Sequence, residues 1–246
     1  MTNYDPAYDP RAFPAVAATV DIVVFTIWGG KLNLLLVQRG QDPFRGNWAL
    51  PGGFVRPDED LDAAAARELE EETAVSGDEK FLEQLASYGR PDRDPRMRVV
   101  TVAYWAVCAQ LTPRGGGDAA AATLVPIASI EDGSVHLAFD HREIVEDALE
   151  RLRSKLEYTA VAAKFCPPEF TISELRRVYE AVWDTRLDPG NFQRMVRQNG
   201  TFQQAPPSLR ADAVRGGRPA SLWSAKSDMP LPLLDHAPRR NRRPKS

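Results

Sequence analysis

The feature that most constrains this chain is a spacing. Gly53 is followed after five residues by Glu59, and after seven more by the run Arg67-Glu68-Leu69-Glu70-Glu71-Glu72. Between Asp60 and Thr73 four consecutive alanines favour a helix, and Asp60 is its expected N-cap. At 3.6 residues per turn, Glu68, Glu71 and Glu72 fall within an arc of roughly 100° on that helix. Three carboxylates on one face repel one another unless a cation sits among them. Oxygen ligands of this kind suit Mg²⁺ or Mn²⁺, which can bridge to a substrate phosphate. Gly52-Gly53 lets the backbone turn sharply and approach a ligand, and Arg67 is placed to pair with a neighbouring carboxylate. A lone Glu-Glu pair would read as a solvated helix face. With every position in register, residues 53–75 read as a box for metal and phosphate.

The surrounding pattern is α/β. Val16–Trp28 and Leu32–Gln38 read as strands joined by a Gly29-Gly30-Lys31 turn. Trp48–Phe54, Phe81–Gly89 and Val99–Leu111 read as further strands, Thr112–Ala122 as a loop, and Leu124–Ser129 as a last short strand or turn. Phe139–Leu156 reads as a long helix, with Ile144, Ala148 and Leu152 four apart. Cys166-Pro167-Pro168 breaks any helix that reaches it, so a domain boundary falls within residues 156–168.

The box resembles the Nudix signature, Gly-x5-Glu-x7-Arg-Glu-U-x-Glu-Glu-x-Gly-U with U a bulky apolar residue. Its one departure is Ala74 in place of Gly. The resemblance implies an α/β/α sandwich around a mixed sheet. It also implies hydrolysis of a nucleoside diphosphate linked to another group, with Glu68, Glu71 and Glu72 as metal ligands and catalytic groups and Glu59 assisting. The segments Leu36–Gly40, Trp48–Gly53 and Arg93–Arg96 look like the ADP-ribose-type branch. Candidate ligand residues are therefore Phe44 and Trp48 for a base, Arg39 and Arg96 for a pyrophosphate, and Gly52, Gly53 and Asp94 beside them. Such hydrolases usually need a remote general base in a loop. Here residues 112–122 offer only Asp118, with Glu70 and Glu131 as substitutes.

Charge divides the chain. Residues 151–246 hold 18 Lys and Arg against 9 Asp and Glu, whereas residues 1–150 hold 13 against 25. An acidic front can gather divalent metal and a basic back can meet a polyanion. A basic tail explains part of this, since Arg239–Lys245 alone carries five positive charges. There are only two cysteines, Cys108 and Cys166, with no CxxC spacing, so neither a disulfide nor a cysteine metal site is expected, which fits a reducing cytoplasm. Asp21 interrupts the most apolar run, Ala15–Trp28, so no membrane span is expected, and the polar, acidic first ten residues do not resemble a secretory leader.

The basic third has its own motif. Thr171-Ile172-Ser173-Glu174 is a capping box with Phe170 and Leu175 at the staple positions, followed by Val178, Tyr179 and Val182 on one apolar face. Asp188 and Pro189 open a second helix and Gly200 closes it. That helix turns Phe192, Met195 and Val196 inward and leaves Asn191, Gln193, Arg194, Arg197 and Gln198 outward. Two short helices with such a face form a helix-turn-helix pattern whose side chains can read base edges. An ordinary helical hairpin with a solvated face would share much of this. Thr201–Gln203 and Ala220–Ser224 are expected to pair as wing strands, and the loop between them carries Arg210, Arg215 and Arg218 for phosphate or minor-groove contact.

Together with Tyr158–Ala160, Phe165–Thr171, Asn191-Phe192 and Gly217–Pro219, the chain resembles the Nudix-related transcriptional regulators of NAD metabolism, the NrtR family. The resemblance implies a homodimeric repressor of NAD-synthesis genes that leaves double-stranded operator DNA when ADP-ribose or a related nucleotide binds. Many members are thought to have weak or no hydrolase activity, and DNA binding need not require the metal. The expected layout is a disordered segment over residues 1–14, a Nudix domain over 15–156, a winged helix-turn-helix domain over 157–226 and a basic disordered tail over 227–246. The alternative is a Mg²⁺-dependent ADP-ribose-type pyrophosphatase with an accessory domain, which the intact Glu68, Glu71 and Glu72 leave open.

Overall fold

The computed structural model describes residues 9, 12–73, 81–109, 111, 119–198, 200–206 and 221–226. Strands β1 (Ala17–Trp28) and β2 (Lys31–Arg39) form a hairpin through Gly29 and Gly30, whose φ values are 59° and 76°. Positive φ at both central residues is what a tight hairpin of this hand demands, and glycine meets it without steric cost. The segment expected as one strand at residues 48–54 is divided. β3 (Trp48–Ala49) pairs with β2, and β4 (Gly52–Phe54) pairs with β1. Pro51 has no N–H to give a ladder, and its carbonyl instead accepts from Ile22 as the chain passes between partners.

Helix α1 (Leu61–Thr73) follows the box loop, and Asp60 accepts from Leu61 N–H at 2.6 Å. β5 (Phe81–Tyr88) pairs antiparallel with β6 (Val99–Val107), which runs parallel to β1. β6 stops short of Leu111, its last rung being Cys108 N–H to the Phe25 carbonyl. β7 (Ala119–Pro126) runs antiparallel to β2, so residues 119–122 are strand and not loop. Alanines have little β-propensity of their own, and here the waiting edge of β2 decides.

The strands alternate between two cores. Val20, Ile22 and Val24 of β1 pack with Ala64, Ala65 and Leu69 of α1. Val23 and Phe25 point the other way, toward Ile144, Ala148 and Leu152. This period-two division makes the α/β/α sandwich. After the short α2 (Ile127–Glu131), the second layer is α3 (His141–Tyr158). It starts two residues later than its sequence pattern suggests, because Phe139 sits at φ 53° and Asp140 is the N-cap.

A 3-10 helix (Ala160–Phe165) leads into the basic module: β8 (Phe170–Thr171), α4 (Ile172–Trp183), α5 (Pro189–Gln198), β9 (Phe202–Gln204) and β10 (Leu222–Ala225). The three strands form one antiparallel sheet in the order β8-β10-β9. Leu175, Val178, Val182, Phe192, Val196 and Trp223 belong to the same apolar core as Leu152 and Leu156 of α3, so the two modules share a core. No helix among the described residues is long and apolar enough to cross a membrane. The segments expected to be disordered, residues 1–14 and 227–246, lie largely or wholly outside the described residues.

Candidate functional site

The acidic box forms around an arginine. Arg67 donates to Glu59 through Nε at 3.0 Å and Nη2 at 2.7 Å, and to Glu68 through Nη1 at 2.7 Å, while Glu71 is 3.5 Å away. The hydrogen bond from Arg67 holds the Glu59 carboxyl down at about 2. Burial pushes Glu68 above the ordinary carboxylate range, and Arg67 only partly offsets it. Gly53 lies against Glu68 so closely that a Cβ there would come within 2.3 Å of its Oε1. The glycine is therefore required for the close approach of the box loop to α1. Glu72 is on α1, but its side chain lies outside the described residues. Among the described residues no three His, Cys, Asp or Glu side chains converge as a metal site. The donors present at Glu68 and Glu71 are all carboxylate oxygens, which suits a hard divalent cation.

Beside the box opens a cavity of about 390 Å³, within the range of about 300–1,000 Å³ that small-molecule sites occupy. Its walls bring together Arg39, Gly52, Gly53, Asp94 and Arg96 with Glu68 and Glu71. Asp94 is buried and holds Arg96 through three hydrogen bonds of 2.7–3.0 Å, which depress its own pKa. The Arg96 guanidinium lies 5.6 Å over the Phe54 ring. Arg39 lies 4.7 Å over the ring of Phe139, which also lines the cavity. Phe44 and Trp48 do not line it. Phe44 is exposed and packs edge-on against Phe139 at 4.8 Å, and Trp48 packs against the core. Among the described residues, the phenylalanines that border the cavity are Phe54 and Phe139. Neither Glu70 nor Glu131 borders it, and Asp118 lies outside the described residues.

A buried charge cluster that sequence reasoning missed borders the cavity through Asp21, Arg93 and His141. Arg93 donates to Asp140 through Nε at 2.9 Å and Nη2 at 2.8 Å, and to Asp21 at 3.2 Å. His141 accepts the Leu50 N–H on Nδ1 at 2.9 Å, so its proton is on Nε2, 3.5 Å from Asp21. Burial pushes the His141 pKa down, in keeping with the neutral ring that an accepting Nδ1 requires. The signals were present: a lone Asp in an apolar strand, and Asp-His opening a helix.

The basic module is built as its caps predict. Thr171 and Glu174 cap reciprocally, with Thr171 N–H to Glu174 Oε2 at 2.7 Å and Glu174 N–H to Thr171 Oγ1 at 3.1 Å. Asp184 ends α4 in the left-handed region at φ 47°. Glu180 accepts from both Arg176 and the Leu187 N–H, tying the turn that aims α5. Phe192, Met195 and Val196 are buried, while Asn191, Gln193, Arg194, Arg197 and Gln198 are exposed together. The wing strands pair as Phe202 with Ala225 and Gln203 with Ser224. Arg215 and Arg218, named for DNA contact, lie outside the described residues.

Comparison with known proteins agrees with both modules. Residues 17–148 match the NUDIX domain family, and residues 162–225 match the NrtR DNA-binding winged helix domain. The chain is 35% identical over 222 residues to the ADPR responsive transcriptional repressor NtrR of Acinetobacter baylyi, covering 88% of this chain and 84% of that protein. The crystal structure of Shewanella oneidensis NrtR complexed with a 27mer DNA superposes with a TM-score of 0.68 at 34% identity, covering 85% of this chain and 93% of that one. The NUDIX domain of the same protein complexed with ADP ribose matches with a TM-score of 0.53 at 40% identity, over 59% of this chain and 94% of that one. With a cavity and acidic box in the first module and a polar, arginine-bearing helix in the second, the chain belongs to the NrtR-type family, a NUDIX domain joined to an NrtR DNA-binding winged helix.

Proposed function

We propose that this protein is a transcriptional repressor of NAD-synthesis genes whose NUDIX domain senses ADP-ribose or a closely related nucleoside diphosphate. The observation that carries the reading is the joining, through one apolar core, of the 390 Å³ cavity with the exposed Asn191, Gln193, Arg194, Arg197 and Gln198 face of α5. Arg39 and Arg96 suit the ligand's pyrophosphate, and Phe54 and Phe139 suit its base. A divalent cation, Mg²⁺ or Mn²⁺, would be held by Glu68, Glu71 and Glu72 and would supply positive charge to the pyrophosphate. The protein acts in the cytoplasm as a homodimer on a near-palindromic operator, with half-sites one helical turn or a multiple apart. Asn191, Gln193, Arg194, Arg197 and Gln198 approach base edges, and Arg215 and Arg218 approach the backbone or minor groove.

The acidic box keeps a second reading open, Mg²⁺-dependent hydrolysis of ADP-ribose. The test is DNA binding at fixed salt with and without ADP-ribose, with AMP release followed in the same samples. Tight binding to DNA from upstream of NAD-synthesis genes, relieved by intact ADP-ribose, is the expected result. Rapid AMP release without sequence-selective DNA binding would replace the repressor with the hydrolase.

A further inference from the structure

We infer that the buried cluster Asp21–Arg93–Asp140–His141 is the relay that passes cavity occupancy to the winged helix, with α3 as its shaft. This rests on the reading that a cavity ligand weakens DNA binding, and it specifies how. Asp21, Arg93 and His141 face the cavity. Asp140 is the N-cap of α3, yet its side chain makes no cap hydrogen bond. An aspartate there ordinarily accepts from the first turn of its own helix. Here both carboxylate oxygens are committed to Arg93. The seating of α3's first turn therefore depends on a cation that the ligand can reach.

The charge balance makes that seating responsive. Two carboxylates and one guanidinium around a neutral imidazole leave the cluster with one negative charge in excess. Arg93 is shared, with two bonds to Asp140 and one longer bond to Asp21. A phosphate oxygen that reaches Arg93 competes with Asp140. A hydroxyl that donates to Asp21 offsets part of its charge and weakens its hold on Arg93. A ligand bearing both groups, as a nucleoside diphosphate sugar does, thus changes how the guanidinium is divided. Its neighbour His141 also holds the Leu50 N–H, at the start of the turn that carries Gly52 and Gly53 to the box.

The shaft reaches the DNA module directly. α3 spans 18 residues, about 27 Å at 1.5 Å per residue. Tyr88 bonds Asp147 at 2.7 Å, and Glu83 pairs with Arg151 and Lys155, so one face of α3 is strapped to β5 as far as its last turn. A displaced N-terminus therefore tilts the helix about that strapped face. Toward the far end, Arg153 donates to the Val182 carbonyl at 3.3 Å, two residues before the Asp184 cap that sets the direction of α5. Ligand binding favours the tilted arrangement only through its different affinity for the two seatings, and DNA must then weaken ligand binding by the same factor.

The experiment measures the coupling ratio, the factor by which saturating ADP-ribose weakens DNA binding in the full-length protein. Operator binding is followed by anisotropy, ADP-ribose binding by calorimetry and folding by thermal melts. Wild type is expected to show a ratio of about 5–150-fold. Asp140→Asn keeps the shape of the N-cap and removes the charge. It is expected to keep operator binding in the absence of ligand and to bind ADP-ribose more tightly, because Asp140 no longer competes for Arg93, with a ratio that collapses toward unity. Glu143→Gln, in the same turn but outside the cluster, is expected to keep the wild-type ratio. A folded Asp140→Asn protein with the wild-type ratio overturns the relay. Should Asp140→Asn melt early, hydrogen exchange of the wild type decides. ADP-ribose is expected to alter exchange in residues 149–158 and 172–183, and unchanged exchange there overturns the relay. If wild type binds ADP-ribose with no change in DNA affinity, the sensor reading itself fails, whatever the variants do.

Discussion

Replacing Arg93 with Met tests the buried charge cluster energetically. The Arg93 side chain is 4% exposed and faces Asp140 at 2% and Asp21 at 11%. It makes three charge-assisted hydrogen bonds, at 2.8, 2.9 and 3.2 Å. Each such bond contributes about 1.5–3 kcal/mol, but bonds that share one donor group do not add. The better guide is the cost of stranding a buried charge by removing its partner, about 3–5 kcal/mol. At about 2–4 °C per kcal/mol for a chain of this size, Arg93→Met lowers Tm by roughly 6–20 °C. The distinguishing result is the double variant. Adding Asp140→Asn to Arg93→Met removes one of the two stranded charges and restores part of the loss, whereas independent contributions would add. Circular dichroism melts and urea titrations of the two singles and the double close the cycle. A loss under about 1 kcal/mol for Arg93→Met, below the cost expected for a stranded buried charge, would refute the reasoning. So would a double variant less stable than Arg93→Met alone.

Other expectations follow from the same geometry. Gly53→Ala places a Cβ within 2.3 Å of Glu68 Oε1, so it should displace that carboxylate and weaken Mn²⁺ binding by about 10–100-fold in calorimetry. Glu59 is held at about 2, below its ordinary 4.5, so its stabilising contribution is full above 4.5 and is lost as pH falls toward 2. Urea midpoints of Glu59→Gln should accordingly vary less than wild type across that window. Thr171→Ala removes the side-chain half of the capping box, while the backbone N–H at 171 still donates to Glu174, and should cost about 0.5–2 kcal/mol in urea unfolding. Arg197→Ala, exposed on α5, should reduce discrimination between operator and scrambled DNA by about 1–3 kcal/mol, with ADP-ribose affinity unchanged.

The parts of the site that were legible in the sequence are those encoded by local spacing. Glu59, Arg67, Glu68 and Glu71 meet because a short loop and a helix fix their separations. The capping box and the outward face of α5 are likewise local, so their residues appear where the 3.6-residue period puts them. The charge cluster beside the cavity is different. Asp21, Arg93 and Asp140 come from a strand, a loop and a helix cap separated by 72 and 47 residues, and only the packed sheet brings them together. Phe139 was read as part of a helix, whereas its left-handed backbone turns the ring toward Arg39 and the cavity. Phe44 was named for a base because aromatics near such a box suggest stacking; it is not among the cavity-lining residues and packs edge-on against Phe139, which is. β7 was hidden by its alanines, since pairing with β2 is a property of the neighbour's edge and not of the segment.

The most direct test of the central claim is the affinity of the purified protein for DNA from upstream of NAD-synthesis genes, titrated at one fixed salt concentration with and without ADP-ribose. The account predicts sequence-selective binding that weakens by about 5–150-fold when ADP-ribose saturates the cavity, with the nucleotide recovered intact. Binding that is indifferent to sequence and to ADP-ribose, accompanied by rapid AMP release, would contradict it.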